Sequence, residues 1–97
     1  PWAIDRMTRV AADAGAMAPA ALLARLRAEA TAILEEDRAM CRRIGEAGLA
    51  LVPDGARVLT HCNAGALATA GMGTALAPVY LAAERGRRVS VWADETR

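Results

Sequence analysis

Apolar positions recur with helical spacing over the first half of the chain. Trp2, Ile4, Met7, Val10 and Ala11 fall on one face and predict a helix from Trp2 to Ala14, with Gly15 as its stop. Residues 15–19 form a short break, and Pro19 suits the first turn of the next helix. From Pro19 to about Ala47 one long pattern follows. Leu22, Leu23, Leu26, Ala30, Ile33, Leu34, Met40, Cys41 and Ile44 form its stripe, and Arg and Glu residues occupy the rest. Glu35 with Arg38, and Glu36 with Arg38 or Arg42, are expected as surface pairs, each worth about 0.2–0.5 kcal/mol. Gly45 and Gly48 are expected to end this helix, and Pro53-Asp54-Gly55 reads as a turn. Asp37 breaks the stripe. A carboxylate among apolar neighbours needs a donor, because a buried unpaired charge is costly. Either it makes a structural ion pair or cap with an arginine, or it lines a cleft from the helical side.

Beyond Gly55 the period changes. Arg57-Val58-Leu59-Thr60-His61 reads as a short buried strand. A helix is expected from about Ala66 to Glu84, with Gly86 as its C′ residue and Pro78 kinking its interior. Val89-Ser90-Val91-Trp92 reads as a second strand. The fold class is therefore α/β. A helical N-terminal part, residues 1–52, precedes a strand–helix–strand unit, residues 53–97, whose two strands run parallel. Two strands alone make no stable sheet, so more parallel strands are expected beyond this chain. The start at Pro1 and the end just after an apolar run carry the same expectation of a piece of a longer protein.

Composition removes several classes. Ninety-seven residues make at most one small domain, and 55% apolar content excludes disorder. Two cysteines are too few for a disulfide scaffold. No apolar run approaches the roughly 18 residues of a membrane span. A net charge of +1 gives no electrostatic case for nucleic acid or an anionic membrane as partner. One histidine and two cysteines have neither the number nor the spacing of a zinc site. A protein of the cytoplasm without metal or cofactor is expected.

In open α/β sheets ligands bind outside the carboxyl ends of the strands. Two segments occupy that edge: Thr60-His61-Cys62-Asn63-Ala64-Gly65 and Ala93-Asp94-Glu95-Thr96-Arg97. Cys62, between a strand end and a helix N-terminus, is placed where the helix dipole favours a thiolate. Asn63 offers a side-chain amide, and the backbone N–H groups from Ala64 and Gly65 onward suit an anion. The bland alternative makes Cys62 a small hydrophobe, the reading that also fits Cys41. His61 adjoins Cys62, so in an extended strand the two point to opposite faces and form no dyad. His61 is expected in the core or behind the site. Gly71-Met72-Gly73, with Asp94 beyond, imitates a dinucleotide fingerprint. Leu76 holds the third glycine position, and the expected helix places these glycines away from the strand–helix turn, so packing against the sheet is the expected role.

The run from Leu59 through Thr60-His61-Cys62-Asn63-Ala64-Gly65-Ala66-Leu67-Ala68-Thr69-Ala70-Gly71-Met72-Gly73-Thr74-Ala75-Leu76 strongly resembles the signature of the S-methyl-5-thioribose-1-phosphate isomerase family. Trp2-Ala3-Ile4-Asp5-Arg6-Met7, the segment from Glu36-Asp37 to Ile44-Gly45, and Val91-Trp92-Ala93-Asp94-Glu95-Thr96-Arg97 are similar to three further motifs of that family. The resemblance implies a helical N-terminal domain and a Rossmann-like catalytic domain, usually as a homodimer. It implies conversion of an aldose 1-phosphate, a small-molecule sugar phosphate, to the ketose 1-phosphate in methionine salvage. Cys62 matches the family's catalytic cysteine. The family's catalytic aspartate and phosphate-binding arginines would lie outside residues 1–97, so the segment alone is expected to be inactive. Ribose-1,5-bisphosphate isomerases and the regulatory subunits of the eukaryotic initiation-factor exchange complex share the fold and remain alternatives. Retention of Cys62-Asn63 favours an enzyme over the regulatory subunits. Met72 stands where the resemblance leads one to expect an aromatic residue, marking a changed pocket or a packing swap.

Overall fold

The computed structural model describes residues 2–94. Helix α1 runs Trp2–Asp13, and α2 runs Pro19–Gly48. A two-stranded parallel sheet pairs β1 (Ala56–Thr60) with β2 (Val89–Ala93), and α3 (Ala77–Glu84) lies between them in sequence. The chain forms two compact units, one up to Glu36 and one from Asp37 onward.

In the first unit, α1 ends on a turn in which Gly15 takes a positive φ of 55°. The inward positions of α1 are Ala3, Arg6, Met7 and Val10, and Ala14 is buried just past its end, whereas Trp2 and Ile4 are largely exposed. The stripe is thus rotated from the expected one, because Arg6 takes an inward position. Its guanidinium binds the carboxylates of Glu29 and Glu36, which lie seven residues apart on the same face of α2. That pairing raises the Arg6 pKa and holds the Glu36 carboxyl below its ordinary value. The surface pair expected for Glu36 gives way to this one, and Arg42 instead bonds Glu46 at 3.2 Å, one turn on.

In the second unit, Cys41 and Gly45 of α2 are buried. Gly45 does not end the helix. It lies within α2, where a Cβ would come 2.7 Å from Leu81 Cδ1 and 3.1 Å from the backbone of Ala77. Its missing side chain is what lets α3 approach. A 3₁₀ turn, Leu49–Leu51, leads out of the helix. Arg87 Nη1 donates to the carbonyls of Leu49 and Val52, at 2.8 and 2.6 Å, and so ties down the chain where it leaves the helix. Leu49, Val52, Leu81 and Ala82 form the core, with Ala56, Met72 and Val89 packed against it. Met72 therefore serves packing.

The parallel register runs from Ala56 opposite Val89 to Thr60 opposite Ala93. Asp54 ties the two strand starts together: its carboxylate accepts from the Arg88 N–H at 2.7 Å and from Arg88 Nη2 at 2.9 Å. Helix α3 ends as expected, with Gly86 at C′. Its N–H donates to Ala83 O and the Arg87 N–H to Ala82 O, the two bonds of a Schellman motif. On the sheet, Leu59 and Trp92 are register partners and remain 76% and 53% exposed. An apolar face this open is what a sheet of only two strands leaves uncovered.

The crossover departs most from expectation. Helix α3 spans eight residues, not the nineteen from Ala66 to Glu84. Residues 63–76 form a wound loop with one 3₁₀ turn, Ala66–Ala68. Pro78 sits in the first turn of α3, where its ring is tolerated and no kink results. Gly71 and Gly73, two residues apart, each cost about 1 kcal/mol in a helix, which offsets the propensity of the neighbouring alanines. Side chains also take the loop's backbone groups. Thr69 Oγ1 accepts from the N–H of Gly73 at 3.0 Å and from that of Gly71 at 3.4 Å.

Candidate functional site

The site is built where β1 ends. Cys62 is exposed and takes a positive φ of 65°, the one such non-glycine residue among those described. This left-handed conformation costs about 1–2 kcal/mol for a residue with a side chain, so the surrounding contacts must impose it. The Cys62 carbonyl accepts from the Ala64 N–H at 3.0 Å, and the Ala64 carbonyl accepts from the Leu76 N–H at 3.3 Å. Gly73, at φ +87°, lies against the same strand-end turn: a Cβ there would come 2.6 Å from Ala64 O and 2.7 Å from Gly65 C. The loop is thus folded back on the segment that presents Cys62.

Cys62, Asn63, Ala64 and Gly65 together line an open cleft of about 190 Å³, which Thr60, Leu67, Leu76 and Ala93 also line. Two expectations change here. Cys62 does not precede the N-terminus of a long helix, so no helix dipole acts on it. The N–H of Ala64 is turned to Cys62 and is not open to a ligand. Among the described residues, the N–H groups of Gly65, Ala66 and Leu67 make no hydrogen bond, as the start of a 3₁₀ turn requires. These three are the donors the cleft offers, together with the Asn63 amide.

Asp37 finds its donor in the loop and not in an arginine. Its Oδ2 accepts from the Ala70 N–H at 2.7 Å, while Arg38 Nε donates to the Ala70 carbonyl at 3.3 Å. Two adjacent residues of α2 therefore grip both sides of one residue of the loop. Asp37 does not line the cleft. Gly71 and Gly73 lie in this loop and not within a helix packed on the sheet, and Asp94 is engaged elsewhere.

His61 is not in the core. It is 74% exposed, and its Nδ1 lies 2.7 Å from Asp94 Oδ2. This pair was not expected, and the strand register is what creates it. His61 follows the last residue of β1 and Asp94 follows the last residue of β2, and those residues, Thr60 and Ala93, are register partners. Of the second edge segment, Glu95, Thr96 and Arg97 lie outside the described residues. Among the described residues no cluster of three metal-binding side chains occurs, and no helix is long and apolar enough to cross a membrane.

Known proteins resemble this chain along nearly its whole length. The chain is 67% identical over 96 residues to a methylthioribose-1-phosphate isomerase of Gemmatimonas aurantiaca, covering 99% of this chain and 27% of that protein. It is 54% identical over 96 residues to a 5-deoxyribose 1-phosphate isomerase of Moorella thermoacetica, again over 99% of this chain and 27% of the relative. Among solved structures, the translation initiation factor eIF-2B, subunit delta, from A. fulgidus superposes with a TM-score of 0.85 at 40% identity. The match covers 97% of this chain and 27% of that one. The chain thus spans about a quarter of the length of these relatives. All 97 residues match the initiation factor 2 subunit family, and the chain belongs to that family.

Proposed function

We propose that this chain is the cysteine-bearing segment of an isomerase that converts S-methyl-5-thioribose 1-phosphate to S-methyl-5-thioribulose 1-phosphate in methionine salvage. The observation that carries the proposal is the pairing of a left-handed Cys62 at the mouth of a strand-end cleft with 67% identity to a named methylthioribose-1-phosphate isomerase. The substrate's anomeric carbon is blocked by phosphate, so an acid must protonate the ring oxygen as the ring opens. A hydrogen then moves from C2 to C1, and the C2 hydroxyl gives up its proton to become the ketone. No atom is gained or lost. Cys62 assists the C1–C2 step in the cleft. Asn63 and the N–H groups of Gly65, Ala66 and Leu67 stabilise charge that develops on oxygen. The ring-opening acid and the phosphate ligands belong to the rest of the polypeptide, which works as a cytoplasmic homodimer.

A second substrate is favoured by one observation, the 54% identity to a 5-deoxyribose 1-phosphate isomerase. The two sugars differ at C5, far from the C1–C2 chemistry that Cys62 serves. The deciding experiment assays the full-length protein on both sugar phosphates, with wild type beside Cys62→Ser. Turnover of the methylthio sugar that falls about 10²-fold or more in the variant, some 2.7 kcal/mol of barrier, is the expected result. Preference for the deoxy sugar would move the assignment to the second substrate. No turnover of either would leave a regulatory role like that of the initiation-factor subunit.

A further inference from the structure

We propose that His61 and Asp94 form a positioning pair that holds Cys62 in its left-handed backbone conformation. The inference rests on the isomerase reading only in assigning work to Cys62. The geometry is independent of it. His61 and Asp94 each extend their strand by one residue past the Thr60–Ala93 register pair. The ladder is already loosening there: the Asp94 N–H reaches the Thr60 carbonyl at 3.4 Å. The side-chain bond of 2.7 Å from His61 Nδ1 to Asp94 Oδ2 continues the ladder for one further step. A carboxylate only accepts, so the proton between the two lies on Nδ1.

The next residue after this bond is Cys62. The chain reverses there: one bond pulls the Cys62 carbonyl toward the Ala64 N–H, and Gly73 closes the loop against Ala64 and Gly65. The turn is thus gripped on its far side by the loop and on its near side by His61–Asp94. Without the near grip His61 and Cys62 are free to relax toward ordinary extended backbone, which swings the thiol out of the cleft wall. Neither His61 nor Asp94 lines the cleft, although Thr60, Cys62 and Ala93 do. The pair therefore acts through Cys62 and not on a ligand.

The test uses the full-length protein with His61→Leu, His61→Asn, Asp94→Ala and the His61→Leu/Asp94→Ala double variant. Two readouts are followed: kcat and KM on the sugar phosphate, and the rate at which iodoacetamide alkylates Cys62, with buried Cys41 as the internal control. His61→Leu and Asp94→Ala are each expected to lower kcat about tenfold, with KM changed less than twofold and Cys62 alkylation shifted threefold or more. The double variant is expected to lose no more than either single one, as two halves of one contact must. His61→Asn keeps a donor where Nδ1 stood and is expected to recover most of both readouts. Wild-type kcat and alkylation rate in His61→Leu would overturn the proposal. So would an Asn variant as impaired as the Leu variant, since that would make the imidazole ring itself the working group. A wild type without turnover would sink the isomerase reading alone. The alkylation rates would then still decide the pair.

Discussion

Replacing Gly73 by alanine is expected to damage the candidate site through the backbone alone. Two costs combine. Gly73 holds φ at +87°, which disfavours a residue with a Cβ by about 1–2 kcal/mol. The new methyl would also stand 2.6 Å from Ala64 O, 2.7 Å from Gly65 C and 2.8 Å from Gly65 Cα. All three atoms are backbone, so no side-chain rotation relieves the contact, and overpacking of this kind costs about 1–3 kcal/mol. The expected loss is about 2–5 kcal/mol, less whatever the loop recovers by moving away from the Cys62 turn. That movement displaces the cleft wall, so turnover should fall as well. Gly71→Ala is the matched control two residues earlier. Its φ is not positive, and its Cβ would meet Arg38 Cγ at 3.6 Å, an ordinary contact. A change within about 1 kcal/mol is expected there. Urea titration and steady-state turnover of both variants in the full-length protein provide the assay. Loss of stability and activity in Gly73→Ala no larger than in Gly71→Ala would refute the claim that this glycine props the turn.

Asp37→Ala should cost about 1–3 kcal/mol, because the Ala70 N–H loses its acceptor inside a folded loop. Asp37→Asn retains a carbonyl acceptor and should recover most of that in the same urea titration. The pH dependence of stability should carry a contribution from Asp54. Arg88, through its guanidinium and its N–H, lowers the Asp54 pKa below the ordinary 3.8. The native state therefore favours the ionised carboxylate. The pair's stabilisation is complete above pH 3.8 and disappears as pH falls through the lowered native value. Asp54→Asn should flatten melting temperature against pH in that acid window. An acid limb as steep as that of the wild type would exclude the pair as a contributor.

Much of this organisation is legible in residue order. Helices α1 and α2 begin at Trp2 and Pro19 as their apolar spacing indicates, and β1 and β2 lie within one residue of their expected limits. Gly86 closes α3 in the expected manner. These features depend on local preference: helical periodicity, a proline tolerated only in a first turn, a glycine free to take positive φ. The family resemblance was legible for a related reason, since a contiguous run from Leu59 to Leu76 carries it.

The crossover departs from its local preference because that preference and tertiary demand conflict there. Alanines at positions 66, 68, 70 and 75 favour a helix, but Thr69, Asp37 and Arg38 take the hydrogen-bonding groups that a helix would use. Asp37 and Arg38 lie more than thirty residues away, and no window along the chain contains both parties. The role of Gly45 was hidden in the same way, since the atoms that exclude its side chain belong to α3. Residue order thus determined the elements, the family and the identity of the strand-end residues around Cys62. The tertiary structure alone decided that the loop winds back instead of forming a helix, and that Cys62 takes a left-handed turn. It also decided that His61 and Asp94 meet. The physical reason is common to all three: each depends on hydrogen bonds or excluded volume between groups brought together only when the strands align and α2 packs beside the loop.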